Sequence, residues 1–343
     1  MIRFVARNVL IICLAVTASC GSGRDGSRPV PDTLPGDRFF YLTDLGNLGQ
    51  MGTHVQALND SGVAVGYSVT ASGAVHAFSW RSGKMTDLGT LGGSQSRAFA
   101  INSGSQIVGF STLPGDTVTH ACLWSGGKIQ DLGSLGGDSA ANAIDDSGQI
   151  AGTSANAQGV NHAFLYSGGT MRDLGPSASV ASSANAIVGP NEVAGASTFG
   201  GHSHAALWSN GTWGDLGTLG GATSTVAAAN ASGLLVGTSD TNTARVRDGF
   251  SYQGSMTALP TLGGLVTNPN AVSPQGWIVG FCYTADDVHA CLWSGGQIYD
   301  VSTMLNVSGW DLETATGINR YGDIVANGFA PDGTFRGVLL NPS

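Results

Sequence analysis

The sequence predicts an all-β chain, a seven-bladed β-propeller of four-stranded blades over residues 39–343, closed by its own N-terminal strand. Two markers that recur along the chain and the uneven way the repeat begins and ends carry that prediction. The first marker is Asp-Leu-Gly or a close variant, starting at Asp44, Asp87, Asp131, Asp173 and Asp215, degraded at Ala258-Leu259-Pro260, and returning at Asp300-Val301, so that its copies lie 42 to 44 residues apart. The second begins with His-Ala at His76, His120, His162, His204 and His289, with Asp248-Gly249-Phe250 and Arg336-Gly337-Val338 in the two remaining slots. Self-similarity at this period is the signature of a repeat architecture.

Within a copy, four short β-type segments follow one another, separated by turn chemistry. The first ends in an Asn-x-x-Gly turn, as at Asn59 to Gly62 and Asn230 to Gly233. The second carries a glycine at its middle, at Gly66, Gly109, Gly152, Gly195, Gly237 and Gly280. The third is the His-Ala segment, closed by a Ser-Gly-Gly type of turn, and the fourth runs into Asp-Leu-Gly. Apolar and polar residues partly alternate, as half-buried strands require. Four strands in such a length is the size of a propeller blade, whereas a coil of a parallel β-helix is shorter.

The chain ends sharpen the choice between a ring and an open solenoid. Phe39 to Asp44 supplies a spare fourth strand before the first complete copy, and the chain stops at Ser343 after the third strand of the last copy. A ring needs that arrangement, because the N-terminal strand then completes the last blade and covers edges that would otherwise pair with other chains.

Composition agrees with short strands and tight turns. The 343 residues include 53 glycines, about twice ordinary usage, and charged residues are 11%, under half the usual share. Lys84 and Lys128 are the only lysines and the formal charge is −9, which excludes a nucleic-acid partner that would need a basic face.

The first residues read as an export signal. Arg3 and Arg7 give the basic start, Val9 to Val16 the apolar stretch, too short to span a bilayer as a helix, and Thr17-Ala18-Ser19-Cys20 a lipobox-like end. Residues 1–19 are therefore expected to be a lipoprotein-type signal peptide with Cys20 as the lipidated residue, the alternative being an ordinary signal peptide with an incidental cysteine. Residues 20–38, rich in Gly, Ser, Pro and charge, read as a flexible tether. The lipid is the expected membrane contact, at the outer membrane, in the periplasm or on the cell surface.

The markers resemble the HAF family of extracellular repeat proteins, whose His-Ala-Phe stands here at His76 and His162 and whose Asp-Leu-Gly-Thr-Leu-Gly-Gly run stands at Asp87 and Asp215. The resemblance spans about residues 40 to 340, with the copies at Ala258 and Arg336 departing from it. It implies a propeller-like repeat fold and carries over no reaction, cofactor or catalytic residue.

The recurrence of the marker histidines argues for structure rather than chemistry, since an active site brings unlike groups together once and a zinc site needs ligands at about 2 Å. Each His is expected to bond a neighbouring backbone group or blade, and each marker Asp to cap the turn into the next blade. Asp145-Asp146-Ser147-Gly148 hints at a calcium loop but lacks the further spaced carboxylates, so it reads as a turn and no metal is expected. Cys282 and Cys291 flank a short loop. If Asp286 and Asp287 form a two-residue turn, the two cysteines sit directly opposite at a Cα separation of about 4.5 Å and form a disulfide; the alternative is two reduced core cysteines. Cys122 fills a core slot.

The loops joining second and third strands vary between copies, and their face is the expected binding face. Its candidate ligand-binding residues are Asp240, Arg245 and Arg247 in copy five, His202 in copy four, and Asp286 and Asp287 in copy six. The arginines suit a carboxylate or sugar acid, unless Asp240 and Asp248 simply pair with them. The expected function is a non-catalytic binding or scaffold module with an extracellular ligand, glycan or protein, working as a monomer without a cofactor. The alternative is a polymer-degrading enzyme, a glycan hydrolase or lyase, with its site at the propeller mouth.

Overall fold

A computed structural model describes Arg28, residues 39–50 and residues 52–343. The expected signal peptide, Cys20 and all of the tether but Arg28 lie outside the described residues. The remainder forms seven antiparallel four-stranded sheets, each with its strands in sequence order except the last. That one joins Asp311–Ile318, Ile324–Phe329 and Phe335–Pro342 to the N-terminal strand Phe40–Asp44, which pairs in register from Phe40 with Pro342 to Asp44 with Val338. The chain is a seven-bladed β-propeller closed by its N-terminal strand.

Two local features explain why each copy folds as a blade. Several hairpins between third and fourth strands place two successive residues in the left-handed region, as at Ser82 and Gly83 or Gly126 and Gly127, the turn whose twist matches that of the flanking strands. The mid-strand glycines answer a different need. In every blade the innermost strand carries a bulge, in blade one between Val55 and Ala57, in blade two between Ala98 and Ala100. The bulge presses a carbonyl against the second strand. A Cβ on Gly66 would lie 2.0 Å from the His54 oxygen, and one on Gly109 1.9 Å from that of Arg97. Only glycine fits there. Blade seven has a second bulge and places Ala326 in the slot, and the close approach moves to Gly328, where a Cβ would lie 2.1 Å from the Asp311 oxygen.

The core lies between blades. Val63, Val65 and Ala77 of blade one pack against Ala98, Ile107, Cys122 and Trp124 of blade two, while Val55, Leu58 and Phe78 of blade one pack against Val325 and Leu339 of blade seven. Polar bonds run along the same seams. The Asn59 carboxamide caps its own turn with its oxygen and donates from Nδ2 to the Asn102 carbonyl at 3.0 Å; Asn102 repeats the link to Asp145, and Asn319 returns it to Asn59 at 3.3 Å. One residue type thus satisfies both a turn and a blade junction.

Candidate binding site

The marker residues find each other. The imidazole Nδ1 of His76 lies 2.8 Å from Asp87, and the same pair recurs as His120 with Asp131, His162 with Asp173 and His204 with Asp215 at 2.9 Å, and His289 with Asp300 at 3.1 Å. Each Asp also accepts a backbone N–H two residues on, for example from Gly89 at 2.8 Å. The carboxylate caps the turn as its sequence suggests, but the histidine's partner is this carboxylate across the hairpin within its own blade, not a backbone group or a neighbouring blade. The variant copies differ: blade seven changes the His member alone, and blade five changes both. In blade seven Arg336 replaces His and binds Asp44 from the other end of the chain, and in blade five Asp248 and Ala258 replace the pair. Burial pushes the Asp248 carboxyl above the usual carboxylate range.

The expected ligand-binding residues are dispersed over three blades. Arg247 donates to Thr238 Oγ1 at 2.9 and 3.1 Å and pairs with Asp240 at 3.4 Å, while Asp240 accepts from the Thr223 hydroxyl at 2.6 Å, so these two side chains are engaged with their own blade. Asp248 does not join them. Arg245 is exposed on the loop at φ +66°, and His202 is exposed where the third strand of blade four begins. Asp286 and Asp287 belong to a four-residue turn, closed by the Thr284 N–H donating to the Asp287 carbonyl at 2.8 Å, and not to the expected two-residue turn. The longer turn shifts the strand register: Cys282 pairs with His289 and Cys291 with Gly280. The cysteines therefore lie diagonally, with Cα atoms 6.2 Å apart, and are joined as a disulfide from there. Asp287 also contributes, with Asp311 and behind burial in effect, to holding the Glu313 carboxyl above its usual range. Among the described residues no group of three or more His, Cys, Asp or Glu side chains is placed to hold a metal ion.

The main concavity is elsewhere. A cavity of about 640 Å³ runs along the axis and opens on the face of the turns between first and second strands, opposite the variable loops. Its wall is made by the residue that each bulge inserts: Gln56, Phe99, Asn142, Asn185, Ala227, Asn270 and Thr316. Asn142, Asn185 and Asn270 each donate to a carbonyl of the next blade, at 3.0, 2.8 and 2.9 Å, while their carboxamides face the channel. At the mouth Asp60 and Arg320 pair at 2.6 Å, and Asp146 accepts the Ser103 N–H at 2.9 Å. The wall is thus mostly neutral amide with one aromatic ring, in the size range of small-ligand sites. The signal for it in the sequence was the slot after the buried first-strand residue, where all the copies but the three Asn ones differ.

No family model matches this chain, and no curated protein matches it. Solved structures are similar in fold. The β-propeller domain of the Trilobed protease from Pyrococcus furiosus, described as having an open velcro topology, is 8% identical with a TM-score of 0.55 over 89% of this chain and 97% of that one. A puromycin-hydrolyzing peptidase of Mycobacterium tuberculosis is 14% identical with a TM-score of 0.56, over 85% of this chain and 53% of the peptidase. An acylaminoacyl peptidase of Pyrococcus horikoshii gives 9% and 0.52, over 89% of this chain and 52% of the enzyme. The chain spans about half the length of these two peptidases, and at such identities the likeness is one of fold.

Proposed function

We propose that this protein is a non-catalytic binding module whose ligand enters the axial channel, an extracellular repeat as its likeness to the HAF family implies, held on a lipid at Cys20 as the lipobox-like Thr17-Ala18-Ser19-Cys20 suggests. The observation that supports it is a division of labour among the residues. The repeated His and Asp side chains are engaged with each other in five blades, while the positions where copies diverge line the cavity with uncharged side chains, five of the seven able to hydrogen-bond. Such a wall suits an uncharged polar ligand, and neutral oligosaccharides match it best: the amides bond hydroxyls and the Phe99 ring offers an apolar face.

The test is a calorimetric titration of the soluble propeller, beginning before Arg28, with a panel of neutral oligosaccharides, followed by reducing-sugar release on long incubation. Binding without product, weakened about tenfold or more by Gln56→Leu with Phe99→Ala, supports the module. Turnover abolished by Glu313→Gln would replace it with the hydrolase reading, which rests on the raised Glu313 carboxyl beside Asp311. Labelled fatty acid incorporated by the wild-type chain and absent from Cys20→Ser tests the anchor.

A further inference from the structure

We propose that Arg97 is the anion-binding residue of a second site, at the seam where blades one and two meet on the face of the variable loops, and that its ligand is a saccharide bearing a single carboxylate, a uronate. Arg97 stands at the start of the innermost strand of blade two. Its guanidinium lies 4.5 Å from the ring centroid of Tyr67 in blade one and 5.9 Å from that of Phe110 in blade two. Its Nε is buried without a hydrogen-bond partner. Among the described residues four arginines are half-buried, and Arg28, Arg247 and Arg336 each hold a carboxylate. Arg97 pairs with none, in a chain with 23 acidic residues to choose from. Leaving a half-buried guanidinium without an acceptor is costly, and a bound anion removes that cost.

The surroundings narrow the anion. The Tyr67 ring and, at longer range, that of Phe110 pack against the guanidinium, and with Nε enclosed it is the two terminal amino groups that remain to donate, a pair that takes one planar carboxylate through two parallel bonds. His54 is stacked on Tyr67 with centroids 4.8 Å apart and meets Phe335 at 4.9 Å, so the row of rings extends from Arg97 towards blade seven. Burial first and then the Arg97 charge hold its imidazole below the ordinary value, so it adds a hydrogen-bonding group rather than charge. Aromatic side chains beside a lone carboxylate receptor fit a sugar acid, which carries apolar C–H groups around one charge. The acidic chain repels densely charged polymers.

The site is distinct from the channel, and the two fail independently, since Gln56→Leu reports on one and Arg97→Gln on the other. The experiment is calorimetric titration of the propeller, beginning before Arg28, with monomeric galacturonate, which carries one carboxylate, and with its neutral methyl ester, at low and at high salt. The acid is expected to bind about tenfold or more tightly than the ester, to weaken with salt, and to lose that advantage in Arg97→Gln. Equal binding of acid and ester, unchanged binding by Arg97→Gln, or displacement of the sugar acid by an equal concentration of inorganic phosphate would each overturn the assignment. Should Arg97→Gln fail to fold, the Nε–H resonance of Arg97 in isotope-labelled wild-type protein replaces it: a shift on adding the acid and not the ester supports the site, and no shift overturns it.

Discussion

Arg28 neutralises Asp323. One guanidinium nitrogen lies 2.8 and 3.0 Å from the two carboxylate oxygens, 295 residues away in sequence, and the guanidinium also sits over the Tyr321 ring. The Asp323 side chain is wholly buried in a turn of blade seven, where Asn319 and Asn341 also donate to it. A residue read from the sequence as part of a free tether is a counterion of the fold.

Arg28→Met should therefore destabilise the propeller by about 1–3 kcal/mol, less than the full cost of stranding a buried charge because the asparagines remain. Chemical denaturation measures it, and the double variant Arg28→Met with Asp323→Asn should recover part of the loss. A single variant as stable as wild type would show the contact to be incidental.

The closing strand makes a second prediction, because Asp44 and Arg336 reproduce between chain ends the pair that His and Asp make within a hairpin. Asp44→Ala should cost only about 1 kcal/mol, since both side chains are about a third exposed and solvent screens them. Deleting residues 39–45 should cost about 4 kcal/mol or more, because Phe40 and Leu45 are almost wholly buried. Thermal unfolding unchanged by the deletion would contradict ring closure.

The bulge predicts a contrast between two glycines of blade three. A Cβ on Gly152 would meet the Ala140 oxygen at 2.1 Å and the Phe164 ring at 2.7 Å, while one on Gly159 has nothing within 4 Å and only a left-handed φ of +77° to bear. Gly152→Ala should lose about 3 kcal/mol and Gly159→Ala about 1 kcal/mol, read from urea midpoints.

His54 sets a pH dependence. Its proton affinity is lowered in the folded protein by burial and by Arg97, so the unfolded chain binds the proton more readily. This contribution is full above the ordinary value of 6.5 and is lost as pH falls from there through the lower folded value. Replacing His54 with Gln should flatten the stability profile on the acid side of that point, measured as the difference between variant and wild type.

Reducing the Cys282–Cys291 bond, which spans nine positions, should lower stability by about 2–3 kcal/mol. Thiol labelling of the unfolded chain should find one reactive described cysteine, Cys122, before reduction and three after it.

Blade size, blade number and the closing strand were legible because each rests on short-range chemistry. The turn at Asn59 is capped by Asn59 itself, Asp87 caps the turn at Gly89, and the Gly126-Gly127 pair specifies its hairpin without help from the rest of the chain. The His76 and Asp87 positions were legible too, but not their bond, since facing residues across a hairpin emerge only once its register is known. A turn two residues longer than the spacing predicts, at Asp286 and Asp287, is enough to displace the cysteines from opposite to diagonal.

Residue order alone sets the local and periodic part of this protein: seven copies, four strands in each, and a ring that needs its first strand to finish its last blade. Tertiary structure decided what lies between blades. The inserted bulge residue turns Gln56 and Phe99 to the channel, blade packing sets Arg97 against Tyr67, and ring closure brings Arg28 to Asp323. The physical reason is range. Turn and strand preferences act over a few residues and repeat wherever the same letters do, whereas burial and pairing of a charge depend on which surfaces the closed ring brings together.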